Sequence, residues 1–226
     1  MKKTIAVIVG TRPEAIKLAP VIRALGFSDH LQPITISTSQ HGDMVEQIFE
    51  NFGITADVDL QVMRPRQKLW DLTAILSTEL GAYFSNHPVD AVLVQGDTTS
   101  ALIGGLSAFY HKIPVGHVEA GLRSHDRYSP FPEELNRTLL SRIAQWHFAP
   151  TAHAADLLRS ENIDNATIYI TGNTVVDALH WMSRHLRHRE IRPGILNGQR
   201  KLVLVTCHRR ENIGLPMRSV ALANKH

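Results

Sequence analysis

The sequence predicts a doubly wound α/β fold built on a parallel sheet, and three observations carry that expectation. Short β-branched runs recur along the 226 residues with helix-like segments between them. Several runs, above all Ala91-Val92-Leu93-Val94, are apolar without alternation, as strands buried on both faces require. Between them Leu18, Val21, Ile22 and Leu25, and later Leu72, Ile75, Leu76 and Leu80, recur at helical spacing.

Taken in order, residues 4–9 form the first expected strand, followed by Gly10-Thr11-Arg12-Pro13-Glu14, where Pro13 suits a first helical position. Strands follow at 32–38 and 90–95. The second of these runs into Gly96-Asp97-Thr98, where Asp97 or Thr98 would be an ordinary N-cap for a small-residue helix over 100–108. A strand at 114–118 opens into a long loop, and Glu133 and Glu134 after Pro132 mark a helix start where negative charge suits the dipole. Strands at 146–148 and 166–171 come next, then a helix from about Val175 into the basic cluster ending near Arg189. Arg192, Pro193, Gly194, Asn197 and Gly198 read as a linker. Beyond it a strand at 201–206 and a helix from Leu215 begin a second α/β unit, which leaves an apolar strand edge wanting a partner and predicts self-association. Residues 1–171 are thus expected to form an N-terminal domain, and 172–226 a hinge helix, a linker and an incomplete second domain.

With 43% hydrophobic and 20% charged residues, the chain can bury a sizeable core. Its net charge of +3 and short, scattered basic stretches without interleaved aromatics suit small anionic ligands better than nucleic acid, and no nucleic-acid partner is expected. Cys207 is the lone cysteine, so neither an internal disulfide nor a cysteine-based zinc site can be assembled. The early apolar run 5–9 is too short for a signal-peptide core, and no stretch approaches a membrane span, so a cytoplasmic protein is expected. Although there are 13 histidines, His185 and His188 sit in an Arg-rich helix with no third ligand, and no metal is expected. Trp70, Trp146 and Trp181 read as core or interface residues.

The densest chemistry lies in residues 116–137, GHVEAGLRSHDRYSPFPEELNR, a loop too rich in acids and bases to serve only as a turn. In an open α/β sheet ligands bind beyond the carboxyl ends of the strands. A parallel sheet could bring Asp97 and Glu119 together there, and two close carboxylates raise one another's pKa. Arg12 and Lys17, with the backbone donors at their helix start, could hold a phosphate, or could merely pair with Glu14 or solvent. Glu133 and Arg137 could form an ordinary i, i+4 ion pair.

Seven blocks in register, GTRPEAIK (10–17), STSQH (37–41), QGDTT (95–99), PVGHVEAGLRS (114–124), YSPFPEELNR (128–137), TGNTVVDA (171–178) and VTCHRREN (205–212), resemble the non-hydrolysing UDP-N-acetylglucosamine 2-epimerases. The resemblance implies a glycosyltransferase-B-like fold of two Rossmann-like domains, a UDP-sugar bound between them, and a homodimer. It implies conversion of UDP-N-acetylglucosamine to UDP-N-acetylmannosamine by elimination and re-addition of UDP, with no cofactor. Carried across by position, Asp97, Glu119 and Glu133 resemble the catalytic carboxylates and His208 the catalytic histidine. Arg12 and Lys17, together with Asp97, Glu119 and His208, match substrate-binding positions. Gln40, His41, Gln67, Glu134 and Arg210 lie in blocks that form a second, activating site in some bacterial members. Three departures stand out: Gly42 where a basic residue is usual, and Arg66 and Cys207 where glycine is usual. Since members continue through a complete second domain, the resemblance also implies a chain cut short, with little turnover of its own. An epimerase of a modified UDP-sugar, a glycosyltransferase of the same fold and an inactive binding remnant are the alternatives.

Overall fold

Strand β1 (Lys3–Val9) sends Ala6 and Ile8 into one hydrophobic cluster and Ile5, Val7 and Val9 into another on the opposite face. A strand covered on both sides belongs inside a sheet with helices above and below. The computed structural model describes residues 1–39, 42–186, 218, 219 and 222, and it places β1 there. The other strands are β2 (Leu31–Ser37), β3 (Val58–Asp59), β4 (Ala91–Gln95), β5 (Val115–Val118), β6 (Trp146–Ala149) and β7 (Ile168–Ile170). All pair in parallel, in the order β3-β2-β1-β4-β5-β6-β7. The helices are α1 (Arg12–Gly26), α2 (Gly42–Phe52), α3 (Leu69–Asn86), α4 (Thr99–Tyr110), α5 (Glu133–Ile143), α6 (Ala152–Ser160) and α7 (Thr174–Leu186).

This is the doubly wound α/β architecture that the sequence predicts. The connections leave β1 toward β2 on one side and reach β4 on the other, so the strand order reverses between β1 and β4. A crevice opens at the carboxyl ends of strands at such a point. Leu76, Leu80 and Phe84 of α3 cover one face of the sheet, and Ala15, Leu18 and Ile22 of α1 cover the other. Each buried leucine, isoleucine or phenylalanine among these contributes about 1.5–3 kcal/mol.

Three elements escape the sequence reading. Helix α2 has Val45, Phe49 and Phe52 buried at helical spacing, a signal that was present but unused. Helix α6 is announced by Thr151, whose side chain accepts from the Ala154 N–H at 3.1 Å. Strand β3 has only two residues and no alternation to read. The strand expected at 166–171 starts later, at Ile168, because residues 165–167 make a 3-10 turn under the Asp164 carboxylate, which accepts from the Ala166 N–H. Trp70 is 65% exposed beneath the Lys68 ammonium, so the core reading fails for it.

The chain divides into two compact units, Met1–His185 and Leu186–His226. Within the first, α7 packs Ala178, Trp181 and Met182 against Ala19 and Phe52, and the Arg23 guanidinium lies 3.7 Å over the Trp181 ring. The expected linker at 192–198 and strand at 201–206, together with Gln40, His41, Cys207, His208 and Arg210, fall outside the described residues. Among the described residues no helix is long and apolar enough to cross a membrane.

Arg66 has φ +60° in the turn where Gln67 donates to the Val62 carbonyl at 3.0 Å and accepts from the Arg64 N–H at 3.2 Å. A side chain in the left-handed region is strained, and glycine is not. Arg66→Gly is therefore expected to stabilise the chain by about 0.5–1 kcal/mol, net of glycine's entropy. A lowered urea midpoint would contradict it.

Candidate active site

A cleft of about 440 Å³ opens at the carboxyl ends of β1, β4 and β5. Glu14 and Lys17 of α1 line it, with Gln95 at the end of β4, Asp97 and Thr98 after it, Glu119 and Leu122 after β5, and Glu133 and Arg137 of α5. Gln95 pairs in register with Val118, so the chain leaves two adjacent strands just before Asp97 and Glu119. The three carboxylates singled out in the sequence thus share one cavity.

Glu119 is the most tightly held of them. Lys17 Nζ lies 2.5 Å from its Oε2, Asn173 donates to Oε1 at 2.9 Å, and the Gln95 amide donates to Oε2. Its backbone has φ +65°, a strained conformation for a residue with a side chain, and such strain clusters where geometry is functionally fixed. Lys17 therefore serves the cleft, not Glu14. Arg12 is exposed at the start of α1 and makes no ion pair among the described residues.

Asp97, 28% exposed, pairs with Arg137 Nη2 at 3.1 Å, and its backbone carbonyl accepts from the Asn136 amide at 2.8 Å. Burial raises its pKa above the usual carboxylate value; Arg137 opposes the rise, while Glu133 and Glu119 add to it. Desolvation, more than the neighbouring acid, is what favours a protonated Asp97. The Glu133–Arg137 side-chain pair that the i, i+4 spacing allows does not form. Arg137 instead reaches Asp97 and Glu134 and donates only to the Glu133 backbone carbonyl, because Asp97 presents a second carboxylate across the cleft.

Glu134 turns away into the loop, where its oxygens accept from the Ser124 N–H at 2.9 Å and the His125 N–H at 3.0 Å. Burial works against its charge, but these backbone donors and Arg137 hold its pKa below the usual value. The same loop is pinned by Arg123, whose Nε lies 2.6 Å from Glu161. Gln67 spends its side chain within its own turn and is not among the cleft-lining residues.

Two buried groups escaped the sequence reading. His117 is fully buried, and its Nε2 donates to the Gly96 carbonyl at 2.7 Å, tying the turn that carries Asp97 to the strand that runs into Glu119. Burial above all lowers its pKa to about 4, so it is neutral and does no acid–base work near pH 7. Glu14 is 1% exposed; its Oε2 accepts from the Thr11 N–H at 2.6 Å and the Gly10 N–H at 3.2 Å, and its Oε1 accepts from the Thr98 hydroxyl at 2.8 Å. The capping spacing of Thr11 and Glu14 was a visible signal for it.

Desolvation raises the Glu14 pKa from 4.5 to about 7, against the pull of those hydrogen bonds. The folded chain therefore binds this proton more tightly than the unfolded chain. The stability that results is complete below pH 4.5 and is lost as pH rises to about 7. Glu14→Gln mimics the protonated acid and should remove this dependence. Between about pH 5 and pH 8 the unsubstituted chain is expected to lose on the order of 3 kcal/mol relative to the variant. Parallel urea curves for both chains would contradict it.

Among the described residues no group of three or more His, Cys, Asp or Glu side chains could hold a metal.

The family described as UDP-N-acetylglucosamine 2-epimerase matches residues 23–224. The UDP-N-acetylglucosamine 2-epimerase of Salmonella typhimurium is 45% identical over 214 residues, which are 92% of this chain and 57% of that protein. The Bacillus subtilis protein of the same name is 44% identical over 221 residues, 97% of this chain and 58% of that one. Among solved structures, the Neisseria meningitidis UDP-GlcNAc 2-epimerase bound to UDP-GlcNAc superposes with TM-score 0.78 at 46% identity, covering 82% of this chain and 50% of that chain. The S. aureus MnaA structure with UDP gives TM-score 0.89 at 42% identity, covering all of this chain and 60% of that chain. The chain thus spans somewhat more than half the length of the curated relatives it matches. On its strand order, its strand-end carboxylates and these likenesses, the chain belongs to the UDP-N-acetylglucosamine 2-epimerase family.

Proposed function

We propose that this chain supplies the sugar-handling side of a UDP-N-acetylglucosamine 2-epimerase, which interconverts UDP-N-acetylglucosamine and UDP-N-acetylmannosamine. The observation that carries this reading is the convergence of Asp97, Glu119 and Glu133 on one cleft with Lys17 and Arg137. Inverting C2 requires a base to take its proton, departure of UDP, and an acid that returns a proton to the opposite face before UDP adds back. Burial raises the pKa of Asp97, which suits a group that takes up and gives back a proton. Glu119 and Glu133 supply carboxylates on other walls, and Lys17 fixes the orientation of Glu119. Arg12, at the exposed start of α1, is assigned to the diphosphate, as is His208 from the family motif. Gln40, His41, Gln67, Glu134 and Arg210 are proposed to take part in activation by substrate; Glu134 would act there through the loop that it clamps. The division of the chain at residues 171 and 172, a homodimer and a cytoplasmic location belong to the same reading.

The test is incubation with UDP-N-acetylglucosamine in deuterated water. It is run with the 226-residue chain, and with that chain joined to the carboxyl-terminal segment of the B. subtilis relative. Deuterium at C2 and appearance of the mannosamine product are expected in the joined form. Binding without exchange in both forms would defeat the proposal.

A further inference from the structure

Glu14 takes no part in the steps proposed above, yet it lies in the cleft floor, more deeply buried than Asp97 or Lys17. The start of a helix ordinarily presents backbone N–H groups to an anion. At α1 the N–H groups of Gly10 and Thr11 both point to Glu14 Oε2, at 3.2 and 2.6 Å. The turn is tightly packed at Gly10, where a Cβ would meet Ser100 Oγ at 2.4 Å and Thr38 Oγ1 at 3.0 Å. The Thr98 hydroxyl is likewise spent, donating to Glu14 Oε1 at 2.8 Å while accepting from the Ala101 N–H at 3.0 Å. No cation offsets Glu14 among the described residues: Lys17 is taken by Glu119, and Arg137 by Asp97 and Glu134.

We propose that Glu14 is a positioning residue whose carboxyl group fills the amide cradle at the start of α1, fixes the Thr98 hydroxyl and excludes phosphate from the cleft floor. Exclusion of this sort gives specificity by repulsion, since a phosphate entering there would meet a buried carboxyl group and no open donor. One consequence rests on the proposed function. With the floor closed to phosphate, the diphosphate of a UDP-sugar is directed toward the rim at Arg12, and the sugar ring lies over Asp97, Glu119 and Glu133.

The test follows the backbone amide chemical shifts of Gly10 and Thr11 in the 226-residue chain during titration with inorganic phosphate at fixed pH and ionic strength. No saturable shift is expected in the unsubstituted chain, nor in Glu14→Gln, which keeps an acceptor oxygen in the cradle. Glu14→Ala should gain a saturable shift at millimolar phosphate, a gain that a purely structural role for Glu14 would not produce. Saturation in the unsubstituted chain, or a folded alanine variant that gains no phosphate binding, would overturn the proposal. Should the alanine variant fail to fold, Glu14→Ser, whose side chain is too short to reach the Gly10 N–H, takes its place and is read in the same way. The readout involves no turnover, so its failure is separate from failure of the deuterium experiment.

Discussion

Asp97→Asn is expected to slow deuterium exchange at C2 by about 10²–10⁴-fold relative to the unsubstituted chain in the same joined form, the range for loss of a positioned acid or base. Asparagine keeps the shape of the side chain and an oxygen for Arg137, which lies 3.1 Å away, so the cleft should keep its geometry and still bind UDP. What it removes is the titrating proton that burial favours on Asp97. The same substitution at Glu119 is a less direct test, because it strands the Lys17 ammonium that lies 2.5 Å from the carboxylate and mixes charge loss with repacking. UDP affinity by calorimetry separates binding from chemistry. If Asp97→Asn exchanges C2 deuterium at the unsubstituted rate while binding UDP normally, Asp97 is not a proton carrier.

Gly121→Ala should cost about 3–5 kcal/mol, combining left-handed backbone strain with overpacking. Gly121 has φ +91°, and a Cβ there would sit 2.2 Å from the Ala154 carbonyl oxygen and 2.8 Å from its carbon. Both neighbouring atoms are backbone of α6, which cannot rotate away as a side chain could. The loop would have to lift, pulling Arg123 from its 2.6 Å contact with Glu161. Gly172→Ala is the control: φ there is +81° and nothing lies within 4 Å, so only the backbone cost of about 1–2 kcal/mol applies. Urea unfolding of both variants measures the difference. Equal losses would show that the contact with α6 carries no energy.

Where helix and strand signals were long, they were legible. The apolar run of β4, the spacing of Leu72, Leu76 and Leu80 in α3, and the acidic start of α5 each fix an element locally, and each forms where the pattern puts it. The two-residue β3 carries no such pattern, and it forms because Val58 pairs with Ile36 of β2 in three dimensions. The acids of the cleft were legible for a different reason: strand ends are where an open sheet exposes chemistry, and Asp97 and Glu119 follow two strands directly.

Charge pairing was not legible. Local spacing offered Glu133 to Arg137, but the sheet brings Asp97 across the cleft, and a less exposed pairing outweighs a solvated helix-face one. Glu14 likewise reads in sequence only as a pairing partner for Arg12 or Lys17, and burial beneath Thr98 turns it into a carboxyl group with a pKa near 7. The sequence by itself determined the α/β class, the strand-end placement of the acids and the family. Tertiary structure decided which charge meets which, because pairing and desolvation depend on distances between segments some 40 to 100 residues apart, such as Lys17 and Glu119 at a separation of 102 positions.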